Sequence, residues 1–155
     1  MKQAIFYYQD PNAPEPNQPD REGVSVFICW QDQVLLEYRA DSDVWCFISG
    51  GMEPEETALQ GACREVKEET GICITPQQLA FLGRWDDPSR IIHYPDGNIV
   101  RIITNLFSVQ LTEEPVLRCS RESRQLQFFR AEELRGLPLA KTHIPMREVY
   151  LNKMG

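Results

Sequence analysis

The sequence predicts a mixed α/β domain of the α+β kind, with strands in the majority. Three observations predict it. Many segments are rich in β-branched and aromatic residues, a single long amphipathic stretch with helix punctuation lies among them, and the 155-residue length suits one domain. A chain of this size buries roughly two-thirds of its unfolded surface, so it needs neither disulfide nor metal to fold. Hydrophobic residues at 42% and charged residues at 25% are ordinary globular values.

The elements follow in order. Residues 1–9 contain AIFYY, which reads as a short β-like segment or as a solvated tail. Pro11, Pro14, Pro16 and Pro19 make residues 10–22 an irregular arm, because proline suits neither a helix interior nor a central strand. Residues 1–22 are therefore set apart from a domain over 23–155. GVSVFICW, the turn Gln31-Asp32-Gln33 and VLLEYR predict a hairpin. VWCFIS is a short buried strand ending at Gly50-Gly51, with Trp45 in the core. TALQGACREVKEET predicts a helix whose packing face is Leu59, Ala62, Cys63, Val66 and Thr70, stopped by Gly71. LAFLGRW, RIIHY and IVRIITNLFSVQL predict strands, the last two joined by the turn Tyr94-Pro95-Asp96-Gly97-Asn98. LQFFRA is a last strand, AEELRG a short helix, and residues 142–153 a terminal helix.

Charge and cysteines narrow the function. A net charge of −7 argues against duplex nucleic acid and anionic membrane as partners. No apolar run approaches the ~20 residues of a membrane span. No secretory leader is evident, so a cytoplasmic location is expected. The five cysteines form no C-x-x-C pair and read as reduced thiols packed as small hydrophobes.

The chemistry concentrates in GGMEPEETALQGACREVKEETGI. Glu65, Glu68 and Glu69 fall within roughly a 100° arc of the helix. Like charges so placed repel, and Arg64 and Lys67 point mostly elsewhere. A divalent cation relieves the repulsion, and clustered carboxylate oxygens suit Mg²⁺ or Mn²⁺. A merely solvated acidic face is the alternative. Gly50-Gly51 upstream lets the backbone approach a ligand closely.

These residues carry a resemblance. Gly50, five residues, Glu56, seven residues, then Arg64-Glu65-Val66-Lys67-Glu68-Glu69-Thr70-Gly71-Ile72 matches the Nudix box, G-x5-E-x7-R-E-U-x-E-E-x-G-U with U a bulky aliphatic, at every fixed position. The resemblance covers about residues 23–153. It implies the Nudix fold, an α/β/α sandwich around a mixed β-sheet, and a metal-dependent hydrolase of nucleoside diphosphate derivatives. By position, Glu65 and Glu69 are implied as metal ligands with Glu68 sharing the metal. The backbone carbonyl of Ser49 or Gly50 completes the shell, and Arg64 orients a box glutamate with Glu56 as partner. Many relatives carry glycine where Ser49 and Glu55 stand here.

Glu65, Glu68 and Glu122 are candidates for the catalytic base. Glu122 resembles the later acid of MutT-like members, or it is a surface loop residue. Arg39 is a phosphate contact or a surface arginine. Arg90 is a phosphate candidate, Gly51 a substrate contact, and Tyr94 a base-stacking or edge aromatic. A MutT-like NTP or dNTP pyrophosphohydrolase is favoured. An ADP-ribose or nucleotide-sugar pyrophosphatase, an RNA 5′-end pyrophosphohydrolase and a nucleotide-sensing module that does not cleave are the alternatives. The partner expected is a small-molecule nucleotide. The aromatic N-terminal segment leaves room for pairing into a homodimer.

Overall fold

A computed structural model describes residues 3–153. The strands are β1 (Ile5–Tyr7), β2 (Arg21–Trp30), β3 (Gln33–Arg39), β4 (Trp45–Gly51), β5 (Ala80–Trp85), β6 (Ile91–His93), β7 (Ile99–Leu111) and β8 (Ser123–Arg130). The helices are α1 (Ala58–Thr70), α2 (Ala131–Leu134) and α3 (Ile144–Lys153), with 3-10 turns at Pro76–Gln78 and Lys141–His143. The sheet order is β1-β6-β7-β2-β4-β3-β8, and β5 also pairs β7. The sheet is mixed, because β2 and β7 run parallel from Arg21↔Ile102 to Trp30↔Leu111.

The alternation in VSVFIC explains the layering. Val24, Val26 and Ile28 face α1 and pack with Leu35, Ile48, Ala62, Val66 and Phe107. Phe27 and Cys29 face the other way, onto α2 and α3, and pack with Phe47, Phe129, Leu134, Met146 and Tyr150. Period-two alternation on a sheet covered on both faces gives the expected sandwich.

Three expectations change. The β2–β3 hairpin pairs only beside its turn, at Cys29↔Val34 and Trp30↔Gln33, because β4 lies between the two strands beyond it and pairs with both. The packing face of α1 is rotated. Ala62, Val66 and Thr70 are buried, whereas Leu59 is 40% exposed and Cys63 half-exposed. The rotation brings Glu65 and Glu69 inward, so the apolar stripe shares its face with two carboxylates. Only Cys29 and Cys46 pack as buried thiols; Cys73 and Cys119 are exposed, although all five are free.

The N-terminal segment belongs to the sheet. β1 pairs with β6 of its own chain, Ile5↔His93 to Tyr7↔Ile91, and Phe6 is buried with Ile92 and Ala140. The irregular stretch after it ends sooner than the prolines suggest, at Arg21. Among the described residues no helix is long and apolar enough to cross a membrane.

Candidate active site

Local chemistry positions α1. Thr57 caps it: its hydroxyl accepts from Gln60 N–H at 3.1 Å while Gln60 Oε1 accepts from Thr57 N–H at 2.9 Å. Gly71 ends it at φ 79°, donating to Lys67 O, a left-handed conformation that glycine adopts without strain. The loop between β4 and α1 holds Glu55 at φ 66°. That φ gives a steric reason for glycine at this position in relatives.

Arg64 organises the loop. Its Nε and Nη2 donate to the two oxygens of Glu56 at 2.7 and 2.9 Å, and Nη2 also donates to Gly51 O at 2.8 Å. Its Nη1 reaches Glu65 at 2.8 Å and Glu68 at 3.1 Å. The expectation that Arg64 points mostly away from the acidic arc is therefore corrected, since a long guanidinium fork spans several carboxylates at once. Hydrogen bonds from Arg64 pull the Glu56 carboxyl down to about 2.

The carboxylates separate into two kinds. Glu65 and Glu69 are 8% and 4% exposed, while the Glu68 side chain is half exposed and held by Arg64. Burial pushes Glu65 up to about 7. Glu69 is also raised, first by burial and then by the neighbouring Glu37 carboxylate. Glu65 lies against β4 at Gly50: a Cβ there would sit 2.0 Å from its carboxyl carbon. The Ser49 hydroxyl donates to Phe47 O at 2.9 Å and pairs with Ser25 Oγ at 2.6 Å.

Glu37 was not foreseen. It sits in β3, 3% exposed, accepting from Ser123 Oγ at 2.5 Å and lying against Glu69. The signal was a lone charge inside the apolar run VLLEYR, on the same strand face as Leu35. The loop before β8 closes this side. Ser120 Oγ donates to Glu69 at 2.9 Å, and Glu122 lies near Glu37 and Glu69, where its charge raises both.

A cavity of about 480 Å³ opens on the face of β2, β4 and β7 away from α1. Ser49, Gly50, Gly51, Glu122, Arg39, Tyr94 and Arg90 all line it, so the structure gathers these expected site residues around one space. Arg39 is doubly bonded to Asp41, at 2.7 and 2.5 Å, and stands over the Phe6 ring at 5.2 Å. Arg90 is almost wholly buried and donates to backbone carbonyls. Arg21 and Arg121 join the lining; no motif marks Arg21, which lies at the end of the proline arm and reaches the site because β2 starts there, packing over Gly51.

No group of three or more His, Cys, Asp or Glu among the described residues is pre-assembled as a metal cage. The donor chemistry nevertheless fits a hard divalent cation. Two buried carboxylates lie four residues apart on one helix face, Arg64 pairs with Glu65 while no cation pairs with Glu69 among the described residues, and Gly50 leaves the space that Glu65 fills. One consequence concerns metal-free stability. With Glu65 near 7, the folded chain keeps a proton that the unfolded chain, near 4.5, has lost. Stability therefore falls as pH rises through that window. We expect the protein in EDTA to melt roughly 5 °C higher at pH 5.5 than at pH 8. Mn²⁺ should restore the loss at pH 8 and do much less at pH 5.5, because metal needs the charged carboxylate. Calorimetry at the two pH values checks this; a melting point that rises with pH in EDTA contradicts it.

Comparison with known proteins agrees with this geometry. The NUDIX domain model matches residues 19–152. Dihydroneopterin triphosphate diphosphatase of Escherichia coli is 43% identical over 49 residues, 32% of this chain and 33% of that protein. RNA pyrophosphohydrolase of Halorhodospira halophila is 39% identical over 69 residues, 42% of this chain and 37% of that protein. The chain thus aligns with about a third of the length of these curated relatives. Among solved structures, the Escherichia coli ORF135 protein superimposes with a TM-score of 0.66 at 27% identity, covering 90% of this chain and 94% of that one. A Francisella tularensis bifunctional NMN adenylyltransferase/ADP-ribose pyrophosphatase gives 0.71 at 21% identity, covering 91% of this chain and 44% of that one. The matched box, the sandwich built around it and the span of the family model agree: the chain belongs to the Nudix family.

Proposed function

We propose that the chain is a metal-dependent pyrophosphohydrolase that cleaves a phosphoanhydride bond in a nucleoside di- or triphosphate derivative, an NTP or dNTP before ADP-ribose or a nucleotide sugar. One observation carries the reading. The buried Glu65 carboxylate packs against Gly50, which lines a cavity together with Arg21, Arg39 and Arg121, and the buried Glu69 lies one helical turn further on. Glu65 and Glu69, with Glu68 at the exposed end, are the residues to hold Mg²⁺ or Mn²⁺, and a backbone carbonyl of Ser49 or Gly50 can join them. The ion, when bound, neutralises the diphosphate and lowers the pKa of a bound water.

The chain's own groups do the rest. Arg64 holds Glu65 and Glu56 in fixed geometry, so the helix carboxylates are placed before substrate arrives. The cavity arginines attract the phosphates electrostatically, which an overall acidic chain otherwise repels. Glu122, beside Glu69 on a loop, is the candidate to orient or deprotonate the attacking water. All box glutamates are present, which favours an enzyme over a sensing module. Five free thiols suit the reducing cytoplasm.

A substrate panel in Mg²⁺ tests this. Dihydroneopterin triphosphate, dNTPs, ADP-ribose and nucleotide sugars are each incubated, with products resolved by chromatography. Release of a nucleotide monophosphate from at least one is expected, with Glu122→Gln lowering kcat by ~10-fold or more and altering the pH–rate profile. No cleavage of any of them refutes the reading, and an unchanged profile removes Glu122 as the base.

A further inference from the structure

Glu122 lies in the loop over 112–122, and bonds near the end of that loop fix it to the rest of the molecule. Backbone groups supply part of the hold. Arg118 N–H donates to Thr70 O at 2.9 Å, and Ala40 N–H donates to Glu122 O at 2.8 Å. Serine hydroxyls supply the rest. Ser120 Oγ donates to Glu69 Oε2 at 2.9 Å, and Ser123 Oγ donates to Glu37 Oε2 at 2.5 Å. Both acceptors are buried, Glu69 in α1 and Glu37 in β3.

A serine hydroxyl has one hydrogen to give and lone pairs to receive with. Ser120 gives its hydrogen to Glu69 and accepts the N–H of Glu122 at 3.1 Å. One side chain therefore joins a helix carboxylate to the backbone of Glu122. Ser123 reaches Glu37 through a register slip. Leu126 and Phe128 pack on the α1 side of β8, so period two sends residue 123 to the opposite face. The pairing of β3 with β8 shifts between Tyr38 and Arg39: Tyr38 opposes Gln125, and Arg39 opposes Ser123. Arg124 is the extra residue, and the bulge turns the Ser123 hydroxyl back toward Glu37. Bulges beside functional sites re-aim side chains in this way.

We propose that Ser120 is a positioning residue which, with Ser123, clasps the loop onto Glu69 and Glu37 and so sets the Glu69 carboxylate and Glu122 in place together. The inference rests on the metal-dependent reading above and adds to it a link between helix and loop. Without the Ser120 hydroxyl, Glu69 loses a donor that orients it, and Glu122 loses its tie to α1. Hydrogen-bond partners that orient a metal-ligating carboxylate contribute about 10–100-fold to metal affinity or activity. The backbone bonds of Arg118 and Glu122 remain, so the loop keeps its approximate place. Ser120 is itself only half-buried, and alanine there leaves the fold intact.

Three variants of the full chain test this: Ser120→Ala, Ser120→Thr, and Ser120→Ala combined with Glu122→Gln. Calorimetric titration with Mn²⁺ reads the Glu69 side of the clasp. The value of kcat in saturating Mg²⁺, on whichever substrate of the panel is cleaved, reads the Glu122 side. We expect Ser120→Ala to weaken Mn²⁺ binding about tenfold and to lower kcat about tenfold. Ser120→Thr keeps the hydroxyl and should bring both to within about threefold of wild type. Added to Glu122→Gln, Ser120→Ala should lower kcat by less than about twofold, because the residue it places is already lost. A serine that merely steadies the loop predicts a lower melting temperature, unchanged Mn²⁺ affinity and kcat per folded molecule, and additive effects in the pair. Wild-type Mn²⁺ affinity and kcat in Ser120→Ala, or a threonine variant as impaired as the alanine one, overturns the proposal. Wild-type protein that neither binds Mn²⁺ nor cleaves any of the panel removes the metal-dependent reading and this one with it. Mn²⁺ binding and turnover that Ser120→Ala leaves unchanged remove this one alone.

Discussion

Glu69→Gln lowers kcat by ~10²-fold or more in saturating Mg²⁺ and leaves the metal-free protein at least as stable as wild type. The opposite signs follow from the environment of the side chain. Glu69 is buried beside Glu37 with one hydroxyl donor, Ser120, at 2.9 Å. In the absence of metal its charge is a liability, being buried and facing a second acid. Glutamine keeps the shape and still accepts from Ser120 Oγ, so packing survives. It removes the negative charge that a hard cation requires. A purely structural Glu69 predicts the reverse pattern, with stability lost and residual activity per folded molecule kept. Steady-state kinetics together with thermal unfolding in EDTA separates the two. A loss of kcat under threefold contradicts the ligand assignment.

Gly50→Ala lowers kcat/KM by ~10–100-fold with the fold intact. The added methyl falls 2.0 Å from the Glu65 carboxyl carbon and 2.2 and 2.3 Å from its oxygens. No heavy atoms coexist at those distances, so something moves. The atoms it meets are the end of a flexible side chain, and the backbone at Gly50 has no positive φ to protect. Glu65 therefore swings away, leaving Arg64 Nη1 and the site behind, while β4 keeps its pairing with β2 at Val24↔Gly50. Misplacing one ligand by an ångström is enough to cost this much rate. Circular dichroism and melting should change little. Wild-type kcat/KM in this variant means that Glu65 against Gly50 is not the working geometry.

Local signals in the chain were legible, and non-local ones were not. The α1 boundaries were readable because Thr57, Gln60 and Gly71 act within a single turn of their own helix. The Tyr94–Asn98 turn was readable for the same reason, with Gly97 supplying φ 93° and Tyr94 N–H closing onto Asn98 O. The box spacing placed Glu65 and Glu69 together because four residues bring a helix round to the same face. Its outward limit was harder to read. Leu59 matches the apolar periodicity as well as Ala62 does, and only the sheet's position decides which of them is covered. Arg21 and His143 reach the cavity, and Glu37 reaches Glu69, from strands and a turn far away in sequence. No periodicity reports that β4 slides between β2 and β3, and that insertion is what brings Phe47 N–H to His143 and Gly50 to Glu65. The reach of Arg64 was misjudged because helical angle describes the direction of Cβ and not the span of a guanidinium.

The most direct measurement is anomalous diffraction from crystals soaked in Mn²⁺ with a non-hydrolysable nucleotide. The account predicts a manganese peak ligated by both Glu65 and Glu69, with the nucleotide lying in the cavity and its phosphates directed toward Gly50. A nucleotide bound in the cavity with no manganese at either carboxylate, or manganese bound only elsewhere on the molecule, contradicts it.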